Sequence, residues 1–108
     1  DIDRIIGAVS IYFVFGIIWA IVYSVLETLQ PGSFDIPEGM RGTGLQQSLV
    51  SEFIYFSNVT LTTLGYGDIV PMSRPARMFA ALEAIIGQLY IAIVIARLVG
   101  LHIAERRK

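Results

Sequence analysis

TLTTLGYGD, residues 60–68, is the most informative segment of this chain, with glycines at two alternate positions. It lies between two long apolar runs, residues 5–26 and 78–103. The first run carries no charge over about 22 residues, which is enough for a helix to cross a hydrocarbon core of ~30 Å. Near its end, Trp19 and Tyr23 are expected at the membrane interface, where amphipathic rings are favoured. The stretch is therefore held between two predicted membrane-spanning helices.

The composition agrees with a membrane protein and argues against several other classes. Of 108 residues, 55% are hydrophobic and 16% are charged, and the mean hydropathy is +0.67, which is too apolar for an ordinary soluble domain. A net charge of −1 argues against a nucleic-acid-binding surface. With no cysteine and a single histidine, His102, disulfides and thiolate or histidine metal sites are not expected. Because the chain begins with Asp1 rather than methionine, we expect a processed fragment of a longer protein. Any sensor domain is expected to lie outside these residues or not to exist.

The sequence around residues 60–68 predicts three helices. An outer helix is predicted at about residues 4–29 and a long inner helix at about 74–105, each bounded by capping or helix-breaking residues. Between them, a loop rich in glycine and proline is predicted at about 30–44. Apolar residues at helical spacing predict a helix at about 45–61, which is too short to span and is therefore expected to be re-entrant and surrounded by protein. The predicted fold class is an all-α membrane protein.

Basic residues predict the orientation of the chain. Arg106, Arg107 and Lys108 cluster just past the inner helix, and the positive-inside rule assigns them to the cytoplasm. With two spans, both termini are then cytoplasmic, and the loop and residues 60–68 face outside. Because no segment carries arginine at every third position, a voltage sensor is not expected in this chain.

The alternating glycines of residues 60–68 predict a path for a dehydrated monovalent cation. Successive backbone carbonyls can line such a path only if the backbone alternates between right- and left-handed conformations, which Gly65 and Gly67 permit. The lining oxygens would be the carbonyls of Thr63, Leu64, Gly65 and Tyr66, together with the Thr63 hydroxyl. Four copies around an axis would give rings of four oxygens.

The segment TTLGYGD, residues 62–68, resembles the signature of tetrameric potassium channels, whose selectivity filter commonly reads Thr-Val-Gly-Tyr-Gly. Leu64 stands where valine is usual, a variation that the family tolerates. The resemblance covers almost the whole chain and is closest to bacterial two-helix pore modules. It implies a homotetramer in the plasma membrane lipid bilayer that conducts K⁺ passively, binds K⁺ at residues 63–67, has no other cofactor and is not an enzyme.

The resemblance also assigns supporting residues around the filter. The predicted helix at about 45–61 corresponds to the family's pore helix. In the family, the acidic residue after the filter bonds to an aromatic side chain of the pore helix; here Tyr55 and Asp68 match, and the alternative for Asp68 is a solvated acidic residue at the mouth. Thr62 is assigned to filter support. Gly87 matches the family's gating-hinge glycine, and close helix packing is its alternative role.

By the same resemblance, Gln88, Ile91 and Ile95 line a water-filled cavity below the filter, and an interhelical hydrogen bond is the alternative for Gln88. Glu83 is the least expected residue, because a carboxylate facing lipid is costly. We therefore expect it to support the filter region by turning inward to a hydroxyl, with three candidates: Ser57, Thr60 and Thr62. Three roles stay open for Glu83: a fixed tie between helices, a coupling of inner-helix motion to the filter, or contact with water at the membrane edge.

Three rival functions differ from a potassium-selective channel. A subunit of an ion-coupled potassium transporter would carry four linked repeats, whereas this chain has one. A non-selective cation channel usually has a broken filter, whereas Tyr66 and Gly67 are intact here. A membrane interaction protein that does not conduct would leave residues 63–67 unexplained.

Overall fold

The computed structural model describes residues 2–38 and 46–106, and within them the chain is built from three helices. They are α1, Ile2–Leu29; α2, Gln46–Leu61; and α3, Arg74–Arg106. Helices α1 and α3 are long and apolar enough to cross a membrane. Helix α2 has 16 residues, too few for a span at 1.5 Å per residue. The all-α membrane fold expected from the sequence is confirmed.

Several expectations fall on residues outside the described ones. They are the part of the predicted loop at 39–44, Leu45 at the predicted start of the short helix, and the basic residues Arg107 and Lys108. Helix α2 is described from Gln46 onward, and α3 ends at Arg106.

A short antiparallel pairing, absent from the sequence prediction, joins the loops at one end of the helices. Strand β1, Phe34–Asp35, pairs with β2, Val70–Pro71, in the register Phe34 to Pro71 and Asp35 to Val70. Two residues per strand show no alternation that a sequence could reveal. The turn before β1 is stabilised by Glu27, whose carboxylate accepts hydrogen bonds from the Gly32 and Phe34 N–H groups, each at 3.0 Å. The pairing therefore ties the chain leaving α1 to the chain entering α3.

An aromatic core joins the three helices beside this pairing. The Tyr23 ring lies at its centre, with ring centroids 5.4 Å from Phe34, 6.3 Å from Phe53 and 5.2 Å from Phe56. Tilted and edge-to-face aromatic pairs of this kind stabilise beyond their buried area. Trp19 and Tyr23, which are expected at the membrane interface, are both buried in this core, and their depth in the membrane stays a prediction.

The outer surfaces of α1 and α3 are apolar. Ile17 and Ile21 on α1 and Ile85 and Leu89 on α3 are each about half exposed. A water-soluble protein rarely exposes so continuous an apolar surface, whereas lipid or further copies of the chain would cover it. Together with the two spanning helices, this surface indicates a membrane protein.

Candidate functional site

The TLGYG segment, residues 63–67, follows the last residue of α2, and its backbone alternates in handedness. Every second residue has a positive φ: 61° at Thr63, 62° at Gly65 and 81° at Gly67. The sequence predicted this at the two glycines but missed Thr63. A positive φ is uncommon for a residue with a Cβ and costs about 1–3 kcal/mol, so it persists only where the surroundings impose it. The two-residue spacing of Gly65 and Gly67, continued toward the N-terminus, would have indicated a positive φ at Thr63.

Hydrogen bonds to the last turn of α2 orient the peptide groups that enter the segment. The N–H groups of Leu64 and Gly65 both donate to the carbonyl of Val59, at 2.9 and 3.3 Å. Since the peptide bonds of residues 62–67 are trans, each N–H there points opposite to the carbonyl of the preceding residue. The Thr63 and Leu64 carbonyls therefore point away from α2, and residues 62–67 are exposed in the single chain.

The structure brings Tyr55 and Asp68 together at the far end of the segment. The Tyr55 hydroxyl donates to Asp68 Oδ2 at 2.6 Å, and the Ile69 N–H donates to Asp68 Oδ1 at 2.9 Å. The Tyr55 bond is the main cause that lowers the pKa of Asp68, helped by the Ile69 N–H. The same bond raises the pKa of Tyr55 to about 12, so its hydroxyl remains a donor across the ordinary pH range.

Glu83 is fully buried and bonded to two hydroxyls from two other helices. Tyr23 of α1 donates to Oε1 at 2.6 Å, and Ser57 Oγ of α2 lies 2.5 Å from Oε2. Of the three candidate hydroxyls, the structure selects Ser57; the Thr62 hydroxyl instead donates to the Asn58 carbonyl at 2.7 Å. The sequence missed Tyr23, because nothing in a single helix shows which of its faces meets a neighbour. Contact of Glu83 with water at the membrane edge does not occur in this arrangement.

Gly87 lies directly against the end of α2. A Cβ at this position would collide with the Leu61 carbonyl and lie 2.9 Å from Leu61 Cδ1. This contact supports the close-packing alternative, and a hinge at Gly87 stays a prediction.

The predicted cavity residues lie in two neighbouring cavities. Gln88 and Ile91 line one of about 220 Å³ together with Leu61, Thr62, Thr63 and Ala92. Ile95 lines a second of about 280 Å³, which Ile91 and Thr62 also border. The Gln88 amide is 3.4 Å from the Thr63 hydroxyl, so its polar neighbour belongs to the TLGYG segment rather than to another helix.

Comparison with known proteins gives the family. The "Ion channel" family model matches residues 7–102. "Protein LctB" of Geobacillus stearothermophilus is 30% identical over 81 residues, 75% of this chain and 59% of that protein. "Inward rectifier potassium channel Kirbac3.1" of Paramagnetospirillum magnetotacticum is 29% identical over 88 residues, 78% of this chain and 24% of that protein.

A third relative is more similar over a shorter stretch. "Voltage-gated potassium channel Kch" of Escherichia coli strain K12 is 58% identical over 33 residues, 31% of this chain and 8% of that protein. The chain thus spans 59% of the length of the LctB protein and less of the other two. The family consists of ion channels, which agrees with the expectation that the chain is not an enzyme. The resemblance drawn from residues 62–68 is confirmed, and the chain belongs to the ion channel family as a pore module.

Proposed function

We propose that this chain is the pore-forming unit of a potassium-selective channel, conducting K⁺ passively through residues 63–67. The observation that carries the proposal is the positive φ at every second residue, Thr63, Gly65 and Gly67. This alternation is the conformation in which successive carbonyls can point to one side and replace the hydration shell of a cation. The N–H groups of Leu64 and Gly65 donate to the Val59 carbonyl, which directs the Thr63 and Leu64 carbonyls away from α2 and leaves them available to the ion.

The relatives support K⁺ as the ion. The Paramagnetospirillum and Escherichia coli proteins are both named potassium channels, and the second is the most similar of the three over its short match. Passage of K⁺ through this chain is inferred from that kinship together with the intact Gly65-Tyr66-Gly67. No charged side-chain ligand is needed, because the backbone carbonyl oxygens and the Thr63 hydroxyl oxygen supply the ligands.

Four copies complete the path. One chain supplies a single line of carbonyls, and the side chains beside them are open: Leu64 is 57% and Tyr66 is 68% exposed. In a homotetramer, neighbouring copies would cover these side chains and close the ring. Helix α2 ends at Leu61, beside the segment, so the partial negative charge of its C-terminus favours a cation there.

The remaining assigned residues surround this path. Tyr55, Thr62 and Asp68 hold the segment, and Gln88, Ile91 and Ile95 line the water-filled space on its inner side. Gly87 is the proposed hinge of α3. The module lies in the plasma membrane, with both termini cytoplasmic and the Asp68 end of the filter facing outside.

Flux from reconstituted protein tests the proposal. Purified protein in liposomes should release K⁺ far faster than Na⁺, and Ba²⁺ should block the release, with protein-free liposomes as the control. In detergent, the protein should have about four times the 11.9 kDa chain mass after correction for bound detergent. Equal K⁺ and Na⁺ flux would contradict selectivity, and a conducting monomer or dimer would contradict fourfold assembly.

A further inference from the structure

The buried Glu83 cluster is unlike the rest of the protein interior, because it joins α1, α2 and α3 through polar atoms. Its members are Glu83, Tyr23, Ser57 and the Gly16 carbonyl. The Ser57 hydroxyl lies 2.7 Å from the Gly16 carbonyl and 2.5 Å from Glu83 Oε2. Each helix therefore contributes at least one atom to one continuous network.

The number of hydroxyl protons in the network decides whether Glu83 completes it as a carboxylate or as a neutral carboxylic acid. Ser57 has one hydroxyl proton, and a carbonyl such as that of Gly16 can only accept. If Ser57 donates to Gly16, its short contact with Glu83 Oε2 is a hydrogen bond only when Oε2 carries a proton. Tyr23 then donates to Oε1. The neutral carboxylic acid thus satisfies every contact, whereas a carboxylate would leave the Gly16 carbonyl or Oε2 without the Ser57 proton.

The surroundings agree with a neutral group. In the part of the chain that the structure describes, the titratable groups that interact with Glu83 are Tyr23 and Tyr12, both on α1. No basic side chain of the described residues interacts with it. Helix α2 contributes only the Ser57 hydroxyl. A buried carboxylate without a cationic partner is strongly disfavoured, whereas a hydrogen-bonded acid is not.

The cluster lies directly behind the turn that holds the TLGYG segment. Ser57 begins the last turn of α2, and Val59 in that turn accepts the N–H groups of Leu64 and Gly65. The backbones of α1 and α3 approach the same turn closely. A Cβ at Gly16 would lie 2.9 Å from Asn58 Oδ1, and a Cβ at Gly87 would collide with the Leu61 carbonyl.

We infer that Glu83 is a positioning residue for ion selectivity: as a neutral acid, it fixes the last turn of α2 between α1 and α3. Through Ser57 and Val59, this fixes where the carbonyls of the TLGYG segment lie. The inference rests on the proposed function, because it assigns Glu83 a part in the selectivity of that path. Glu83 itself contacts no ion.

If Glu83 is a neutral acid, two substitutions at this position should have different effects on selectivity. In Glu83→Gln, the amide N–H₂ can donate to Ser57 and the amide oxygen can accept from Tyr23, so the network is preserved. In Glu83→Leu, the Tyr23 hydroxyl loses its carboxyl acceptor, and Ser57 loses its contact with Glu83 and keeps only the bond to the Gly16 carbonyl. We expect Glu83→Gln to keep the K⁺/Na⁺ permeability ratio of the parent. Glu83→Leu should lower the ratio about tenfold, as a ~1.4 kcal/mol change would, a size typical of an unsatisfied buried polar group.

A smaller substitution keeps the test decisive if Glu83→Leu does not assemble. Ser57→Ala removes only the hydroxyl between Glu83 and Gly16 and should also lower the permeability ratio. Ser24→Ala is the matched control, because the Ser24 hydroxyl donates within α1 to the Ala20 carbonyl at 2.9 Å and joins no two helices. It should leave the ratio unchanged.

Permeability ratios are measured on assembled protein, after size-exclusion chromatography, so that loss of folding does not count as loss of selectivity. If Glu83→Gln fails as Glu83→Leu does, the neutral-acid network is wrong. If assembled Ser57→Ala or Glu83→Leu is as selective as the parent, the cluster is only a structural tie and the positioning role is wrong. A parent protein that does not select K⁺ would instead overturn the proposed function.

Discussion

The two sides of the TLGYG segment differ sharply. Behind it, toward the helices, Glu83, Ser57 and Tyr23 are fully buried and bonded to one another. In front of it, Leu64 is 57% and Tyr66 is 68% exposed. In the proposed fourfold assembly, each chain would supply the support behind its own segment, and neighbouring copies would supply the rest of the lining. Experiments that disturb the two sides separately can therefore distinguish the conformation of the path from the packing that holds it.

The largest effect is expected from Gly67→Ala, which acts on the path itself. The φ of 81° at Gly67 is strained for any residue with a Cβ, so the carbonyl line should be distorted and K⁺ flux lost. Gly32→Ala is the matched control, because Gly32 has a φ of 89° and, as at Gly67, no atom lies within 4 Å of an added Cβ. Gly32 lies in the turn before β1, so that variant should conduct K⁺ selectively. Equal loss of K⁺ flux in both variants would show that backbone strain outside residues 63–67 also abolishes conduction.

The next effect is expected behind the segment, from Gly87→Ala. The added Cβ would meet the Leu61 carbonyl, a backbone atom that cannot rotate away, so α3 must shift from α2. Overpacking of this kind typically costs about 1–3 kcal/mol, and the melting temperature of the assembled protein should fall. Gly100→Ala on the same helix meets nothing within 4 Å and should not lower it.

A hinge at Gly87 predicts an additional result for the same variant. The clash with the Leu61 carbonyl is present in either case, so if Gly87 also bends α3, Gly87→Ala should shift the open probability of single channels as well as lower the melting temperature. Loss of stability without a change in open probability would assign Gly87 to packing alone.

A smaller effect is expected where the two sides meet, at the Tyr55–Asp68 bond. Because the bond lowers the pKa of Asp68, the stabilisation it gives is present at neutral pH and is lost as the pH falls through that lowered pKa. Tyr55→Phe removes the main cause, so the acid-induced loss of K⁺ flux should begin at a higher pH than in the parent. Flux measured from neutral pH to well below 3.8, the ordinary pKa of the group, tests this.

Tyr90→Phe provides the control for that titration. The Tyr90 hydroxyl donates to the Ala8 carbonyl at 2.6 Å, a bond between α3 and α1 that is unrelated to Asp68. Its removal should leave the acid dependence of the flux unchanged. An identical acid dependence in Tyr55→Phe and the parent would mean that Asp68 does not control flux in acid.

The sequence could predict the features that depend on local chemistry. Gly65 and Gly67 indicate left-handed backbone because glycine alone takes it freely, and an uncharged run of about 22 residues indicates a span by its length. The positive φ at Thr63 was missed because threonine does not favour it; the bonds from Leu64 and Gly65 to Val59 accompany it.

Features that depend on how helices face each other could not be predicted. The sequence predicts that Glu83 bonds to a hydroxyl. Predicting its bond to Tyr23 would also require the rotation of α1 about its own axis, which the sequence does not give. The same holds for Gly16, whose close approach to Asn58 leaves no trace in a uniformly apolar helix. Such contacts are set by packing of the whole aromatic core, to which no short stretch of sequence corresponds.

The smallest effect is expected from Leu64→Val, which changes the front of the segment without altering its backbone. In the proposed path, Leu64 contributes its carbonyl, and its side chain is 57% exposed in the single chain. Losing one methylene should cost no more than about 1 kcal/mol even where neighbouring copies bury it, so the K⁺/Na⁺ permeability ratio should stay within about fivefold of the parent. A larger change would mean that side chains packed between copies set the width of the path. The conformation of the front of the segment would then be fixed by packing as closely as that of its back. Neighbouring chains, rather than α1 and α3, would supply that packing.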